Sequence, residues 1–165
     1  MDEMTLEQEV ASIMAFVLLH AGNSHPYYDE VPEQFKFPAV YFPQPEIGTR
    51  GETFRTYASE YAWYINIMAT STPEAHAIGL AVLSKLKGAK NCVPVISEDG
   101  KPTGENLRLK DPSLRKIETG VEQLTIEWTS RRPYDATEAL KMLRFHLNFE
   151  DKSEEEATQN GDQEE

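Results

Sequence analysis

The side chains best suited to nucleophilic or metal chemistry are four histidines and one cysteine: His20, His25, His76, His146 and Cys92. No two histidines are three or four residues apart, so a metal pair on one helix face is excluded. A zinc site built from His20, His25 and distant carboxylates stays open, although a helix-capping His20 and a loop His25 are the commoner arrangement. A single cysteine can form neither an internal disulfide nor a Cys-pair zinc site.

Other catalytic chemistry finds little support. Cys92 lies in the apolar segment CVPV, where a thiol is usually an inert core side chain. Glu122 and Glu127 share a predicted strand and could act as acid and base, but solvated positions or partner contacts are the commoner roles. The chain has no GxGxxG, P-loop, HExxH or GxSxG motif. We therefore predict that the protein is not an enzyme and needs no cofactor.

Two clusters could bind a partner. Arg131 and Arg132 follow a predicted long strand, either as a solvated strand end or as ion-pair partners for an acidic neighbour, another chain's carboxylates or a phosphate. The second cluster is aromatic and contains Tyr57, Tyr61, Trp63, Tyr64 and Trp128. It could be sheet core, a ligand platform or a subunit interface, since interfaces favour Trp, Tyr and Arg.

Three helices are predicted around these clusters. The first covers about residues 5–21, because Thr5 and Gln8 have capping-box spacing and apolar side chains recur at helical spacing at Leu6, Val10, Ile13, Met14 and Val17. The second runs from Ser71, with Glu74 at the same spacing, to Gly88. The third begins at Asp135.

Five strands are predicted, at residues 37–42, 54–69, 92–96, 106–109 and 118–129. Residues 54–69 carry apolar side chains on both faces, which predicts cover on both sides, by helices on one and a neighbouring subunit on the other. Residues 23–36 are predicted to be a loop, and residues 43–53 a projecting, mobile connection. Long strands and hairpin-like turns predict an α+β fold, a mainly antiparallel sheet with helices packed on one face.

Charge separates the chain into two parts. The chain has 165 residues and a net charge of −12, of which residues 150–165 carry −7 and residues 1–149 carry −5. We predict one domain at 1–149 and a disordered acidic tail at 150–165. The acidic balance argues against a dedicated nucleic-acid or anionic-membrane binder. The N-terminus has no secretion-signal pattern and the longest apolar run is too short to span a bilayer, so we expect a protein made in a reducing cytoplasm.

The element order resembles that of the tail terminator proteins of long-tailed bacteriophages. The resemblance covers about residues 4–147 and rests on four segments: TLEQEVASIMAFVLLHA, FPAVYF, YAWYINIMATSTPEAHAIGLAVLSKLKG and GVEQLTIEWTSRRPYD. It implies a small α+β structural protein of the virion that forms a ring, usually a hexamer, on the end of the tail tube. The family has no catalytic signature, and the acidic tail at 150–165 has no counterpart in its pattern.

The resemblance implies a protein that caps the tail tube, stops its growth and joins it to a head-side connector, while DNA passes without specific binding. We predict a subunit interface at Tyr61, Trp63, Tyr64, Ile65, Arg131 and Arg132. We predict contacts to the tube or connector from a loop containing Glu46, Ile47, Arg50 and Glu52. The alternatives are a head-completion (neck) protein at the same joint, an intracellular ligand-binding module using Tyr27, Tyr28 and Trp63, or an enzyme built on His20, His25 and glutamates.

Overall fold

The computed structural model describes residues 4–135. In chain order its elements are α1 (Leu6–His20), β1 (His25–Tyr28), β2 (Ala39–Phe42), β3 (Glu46–Gly51), β4 (Thr56–Met68), α2 (Thr72–Gly88), β5 (Cys92–Ile96), β6 (Pro102–Arg108), β7 (Ser113–Glu118) and β8 (Val121–Pro133). The third helix predicted from Asp135 and the acidic tail at 150–165 lie outside the described residues. No helix in the described range has the length and hydrophobicity needed to cross a membrane.

Both predicted helices in the described range are confirmed, with the caps that the sequence indicated. The amide of Gln8 donates to Thr5 Oγ1 at 3.3 Å at the start of α1, and the amide of Glu74 donates to Ser71 Oγ at 3.4 Å at the start of α2. These side-chain oxygens satisfy amides that have no partner within the helix.

The main sheet has the strand order β1-β2-β4-β8-β7, and β3 pairs with β4 beyond the end of β2. Every pairing in it is antiparallel except the one between β1 and β2. Its centre is the pair β4–β8, which is in register from Thr56↔Pro133 to Met68↔Val121. The predicted α+β class with a mainly antiparallel sheet is therefore confirmed.

One face of this sheet forms the core beneath the two helices. Its buried apolar side chains are Tyr61, Trp63, Ile65 and Ile67 on β4 and Leu124, Ile126 and Trp128 on β8. Helix α2 lies close to this face at Gly79, where an added Cβ would be 3.3 Å from Ile67 Cδ1. Helix α1 reaches it through Glu9, which bonds to Trp128 and Ser130. Both described helices thus pack on one face, as predicted.

The hairpin β5–β6 is a separate two-stranded sheet that packs on α1. Gln8 Nε2 donates to the carbonyl of Ile96, and the amide of Ile96 donates to Ser12 Oγ, both at 3.0 Å. The predicted strand at 92–96 is confirmed, and the one at 106–109 is longer and starts at Pro102.

Several predicted connections are strands instead. Residues 43–53 are not a projecting loop, because β3 pairs with β4 from Glu46↔Ala62 to Gly51↔Tyr57. The predicted loop at 23–36 contains β1, and β7 was not predicted at all. All residues of β3 are exposed, so its sequence lacks the alternation of apolar and polar residues that indicates a strand. The prolines and glycines in and around it also pointed to a loop. Strand β8 extends to Pro133, so Arg131 and Arg132 lie within it and do not follow it.

Candidate interaction surface

Three of the predicted interface residues belong to the protein's own core. Tyr61, Trp63 and Ile65 are 6%, 1% and 0% exposed, and the ring of Tyr61 stacks on Trp128 at a centroid distance of 4.8 Å. Trp63 Nε1 donates to the carbonyl of Pro43. The prediction of a subunit interface at these three positions needs correction, because their burial leaves no side-chain surface for a second subunit. The aromatic cluster is chiefly sheet core.

Tyr64 lies on the opposite face of β4, which none of the described helices covers. It is half-buried, and its cross-strand neighbour on β8 is Thr125. Next to this pair, Gln123 Nε2 donates to Asn66 Oδ1 at 3.2 Å. This face is therefore polar and partly exposed, whereas the sequence predicted two apolar faces. Tyr64 is the predicted aromatic interface residue that stays accessible.

Arg132 has its acidic partner within the same chain. Its Nη2 atom lies 3.2 Å from Glu9 Oε1, and it also donates to the carbonyl of Met4. Glu9 is 1% exposed and accepts further hydrogen bonds from Trp128 Nε1 at 2.9 Å and Ser130 Oγ at 2.5 Å. This group, called here the Glu9 cluster, ties the start of α1 to β8. A sequence signal existed, because Glu9 is four residues before the buried Ile13 and so shares its helix face.

Arg131 lies on the other face and bridges two strands. Its Nε atom is 2.8 Å from Glu52 Oε2, just past the end of β3, and Arg50 of β3 is 3.2 Å from Glu60 of β4. Both arginine positions pair with Ala58, whose small side chain leaves room above β4. Each exposed pair contributes about 0.2–1 kcal/mol, so they orient side chains more than they stabilise the fold.

The predicted contact residues on β3 are exposed on a paired strand. Glu46, Ile47 and Arg50 all lie in β3, and Ile47 is 57% exposed. Just beyond Glu52, at the tip of the β3–β4 hairpin, Phe54 is exposed to the full extent of its side chain. This side chain offers apolar area that a partner would remove from water on binding. Its signal in the sequence was a lone aromatic among turn residues.

An open cleft of about 450 Å³ lies beside the edge of β8 that faces away from β4. Strand β7 pairs with β8 only as far as Thr125, and Leu109 then forms an isolated bridge to Trp128. Past that point, residues 129–132 of β8 face the cleft, together with Leu107 and Arg108 of β6. Among the described strands, none pairs with this side of β8 beyond Trp128.

The residues considered for catalysis are dispersed. Glu122 is buried at 3% exposure on the helix-covered face, where its Oε1 is 3.4 Å from His76 Nδ1. Glu127 is five positions along β8 and lies on the opposite face, so the two carboxylates cannot share a substrate. The ring of His20 packs edge-on to Phe16, and His25 begins β1. Within residues 4–135 no three metal-binding side chains come together.

One carboxylate has a shifted titration. Lys87 Nζ donates to Asp111 Oδ1 at 2.5 Å, and Asn91 Nδ2 donates to the same oxygen at 3.0 Å. Hydrogen bonds to the charged form favour it, so these contacts, that of Lys87 first, lower the pKa of Asp111 from its ordinary value. The group lies on the surface and suggests no catalytic role.

No protein-family model matches the chain. It is similar to the phage-like element PBSX protein XkdJ of Bacillus subtilis (strain 168), with 29% identity over 144 residues that cover 87% of this chain and 97% of XkdJ. It is also similar to the uncharacterized protein YqbJ of the same strain, with 28% identity over 134 residues, 79% of this chain and 88% of YqbJ. The similarity supports a phage-related protein, the general class predicted from the sequence.

Among solved structures, a chain of the virion of a native gene transfer agent particle matches with a TM-score of 0.45 and 12% sequence identity. The match covers 78% of this chain and 96% of that one. Likeness at this level supports no conclusion about function.

Proposed function

We propose that the protein is a structural component of a phage or phage-derived particle, and specifically a ring-forming tail terminator. In this role it caps the tail tube, stops its growth and provides the surface that joins the tail to the head. The observation that carries the proposal is the similarity to XkdJ, a protein of a phage-like element, along 97% of the length of XkdJ. An element order that resembles tail terminators adds the finer assignment.

The mechanism is steric and makes or breaks no covalent bond. A subunit on the end of a growing tube occupies the surface that the next tube subunit needs, and its opposite side then receives the head-side connector. The hairpin tip is the strongest candidate for one of these axial contacts, because the fully exposed side chain of Phe54 offers apolar surface there. Glu46, Arg50 and Glu52 add charged groups that can select the partner.

The charge of the chain suits a ring through which DNA passes. Residues 1–149 carry a net charge of −5, so the ring as a whole repels phosphates weakly. Protein surfaces that grip DNA use an excess of Lys and Arg to displace counterions. We propose a homohexamer at the head–tail joint of the virion, assembled in the host cytoplasm.

The proposal is tested by light scattering after size-exclusion chromatography, followed by negative-stain imaging with and without purified tail tubes. We expect a closed ring and its attachment to tube ends. A strict monomer that binds no tubes would contradict the proposal. A ring that binds DNA-filled heads but leaves isolated tails uncapped would instead identify a neck protein.

A further inference from the structure

Among residues 4–135 the sheet narrows to three strands at one end, and no strand of this range pairs with the outer side of either edge strand there. Strand β4 is flanked by β3 on one side and by residues 129–133 of β8 on the other. In the described part of the chain, β3 pairs with β4 alone, and β8 has no second strand partner past Trp128. The free edges are of similar length, six residues on β3 and five on β8. Free edges of this kind readily pair with a strand of another chain.

The hydrogen-bond pattern identifies the backbone groups that point outward. The amide of Lys110 donates to the carbonyl of Glu127 at 2.8 Å, so the backbone of Glu127 faces away from β4. In an antiparallel strand, the backbone N–H and C=O groups that point to the same side belong to every second residue. The backbone of Thr129 and Arg131 therefore also faces outward. Following the register across β4 gives Ile47, Thr49 and Gly51 as the outward-facing positions of β3.

Strand direction decides how copies can join. Strands β3 and β8 both run antiparallel to β4, so they run parallel to each other. In a cyclic ring every subunit is related to the next by rotation about one axis, which keeps each strand's direction along that axis. Joining β8 of one subunit to β3 of the next therefore gives a parallel pair. A two-fold dimer would instead join β3 to β3 or β8 to β8, antiparallel.

Charge favours the unlike pairing. The free edge of β8 carries Arg131, which is 76% exposed, and Arg108 of β6 lines the cleft beside it. Strand β3 begins with the exposed Glu46, whereas Glu52 beyond its end is paired with Arg131 of the same chain. Two β8 edges would bring Arg108 and Arg131 of both copies together, whereas a parallel β8–β3 pair brings Arg108 towards the carboxylate of Glu46.

We propose that neighbouring copies of this chain join by parallel pairing of the outer edge of β8, at residues 129–133, with the outer edge of β3, at Glu46–Gly51. Three strands from each subunit then continue around the ring as one closed sheet with no free edge at this end. This inference rests on the ring in the proposed function and identifies the contact that closes it.

Proline substitutions test each edge separately. Thr49→Pro and Arg131→Pro each remove one outward-facing amide, and both leave the pairing with β4 intact, because proline is tolerated where the amide faces solvent. Thr49→Ala and Arg131→Ala are the matched controls, since they shorten the same side chains and keep the amide. We expect each proline variant to be a folded monomer by circular dichroism and light scattering, and each alanine variant to form rings.

Mixing the two proline variants tests the head-to-tail arrangement. Thr49→Pro keeps an intact β8 edge and Arg131→Pro keeps an intact β3 edge, so an equal mixture has one functional junction per pair. We expect mixed dimers and no rings. Dimers in either variant alone would overturn the unlike pairing. Rings in both proline variants would overturn the edge contact while leaving the ring itself in place. A monomeric wild-type protein would instead contradict the proposed function.

A second measurement applies if proline unfolds either variant. Gly48→Cys and Thr129→Cys, whose side chains lie on the same face of the continued sheet, are made separately in a Cys92→Ser background, mixed in equal amounts and treated with a short bismaleimide. Mass spectrometry should find the Gly48→Cys chain linked to the Thr129→Cys chain in at least tenfold excess over either homodimer. Homodimers in equal or greater yield would overturn the proposal.

Discussion

At the residue scale, the Glu9 cluster shows how one buried charge can fix the position of a helix. Glu9 of α1 is buried against β8, where Arg132, Trp128 and Ser130 satisfy its two oxygens. A buried carboxylate that loses its partners is costly, and so is an arginine left without its carboxylate. The cluster therefore fixes the position of α1 on the sheet and also stabilises the fold.

We expect Glu9→Ala to lower the free energy of unfolding by about 3 kcal/mol, because it leaves Arg132 without its carboxylate and removes two further hydrogen bonds. Glu9→Gln should cost less, since its amide oxygen can still accept from Trp128. The matched control is Glu7→Ala, an exposed glutamate on the same helix, with a change below about 0.5 kcal/mol. Urea denaturation measures all three variants. Equal values for Glu9→Ala and Glu7→Ala would show that the cluster contributes nothing.

At the element scale, the packing of α2 on the sheet depends on the absence of a side chain at Gly79. A Cβ at this position would lie 2.7 and 2.9 Å from the two terminal carbons of Leu114 on β7. Alanine gains about 1 kcal/mol over glycine in a helix interior, but overpacking costs about 1–3 kcal/mol. The balance decides how closely α2 can approach β7.

We expect Gly79→Ala to lower the free energy of unfolding by about 1 kcal/mol in the wild-type chain. In a Leu114→Ala background, which removes the two closest carbons, the same change should be neutral or stabilising. Gly88→Ala is the matched control at the end of α2, because nothing lies within 4 Å of its added Cβ. The four stabilities of this double-mutant cycle are measured by thermal or chemical unfolding. If the effects of Gly79→Ala and Leu114→Ala simply add, contact with Leu114 is not the source of the overpacking.

The hairpin between β3 and β4 is the element that we expect to meet the axial partner. Phe54→Asp should leave ring formation and thermal stability unchanged, because the side chain is fully exposed, and it should weaken attachment to purified tail tubes or heads at least tenfold. Leu19→Asp serves as the control, since Leu19 is another highly exposed apolar side chain, on α1. Co-sedimentation measures the binding. Equal binding by both variants would remove the tip from the contact surface.

How far the sequence predicted the structure differs between elements. The caps at Thr5 and Ser71 and the alternation in β4 and β8 are local signals, and the structure follows them. Strand β3 is held by its register with β4 and has no buried face of its own, so composition pointed to a loop. The pair Glu52–Arg131 joins residues far apart in the chain, and no pattern in a single sequence reveals such a partner.

At the scale of the whole molecule, the described fold buries one face of its sheet under two helices and leaves two strand edges free at one end. In the ring that we propose, the chain completes its hydrogen bonding by adding copies of itself, because a heterologous contact that closes gives a ring of fixed size. Closure also protects the edges from open-ended association, which would produce fibres. The similarity to XkdJ supports a phage-related protein, and the edge geometry supports the ring that we propose for it.

The most direct test of this account is the mass and symmetry of the purified wild-type protein, measured by light scattering and by class averages of negatively stained particles. The account predicts a closed ring with a mass near six times that of the 18.7 kDa chain and a central opening. A monomer at all concentrations, or a two-fold dimer without an opening, would contradict it.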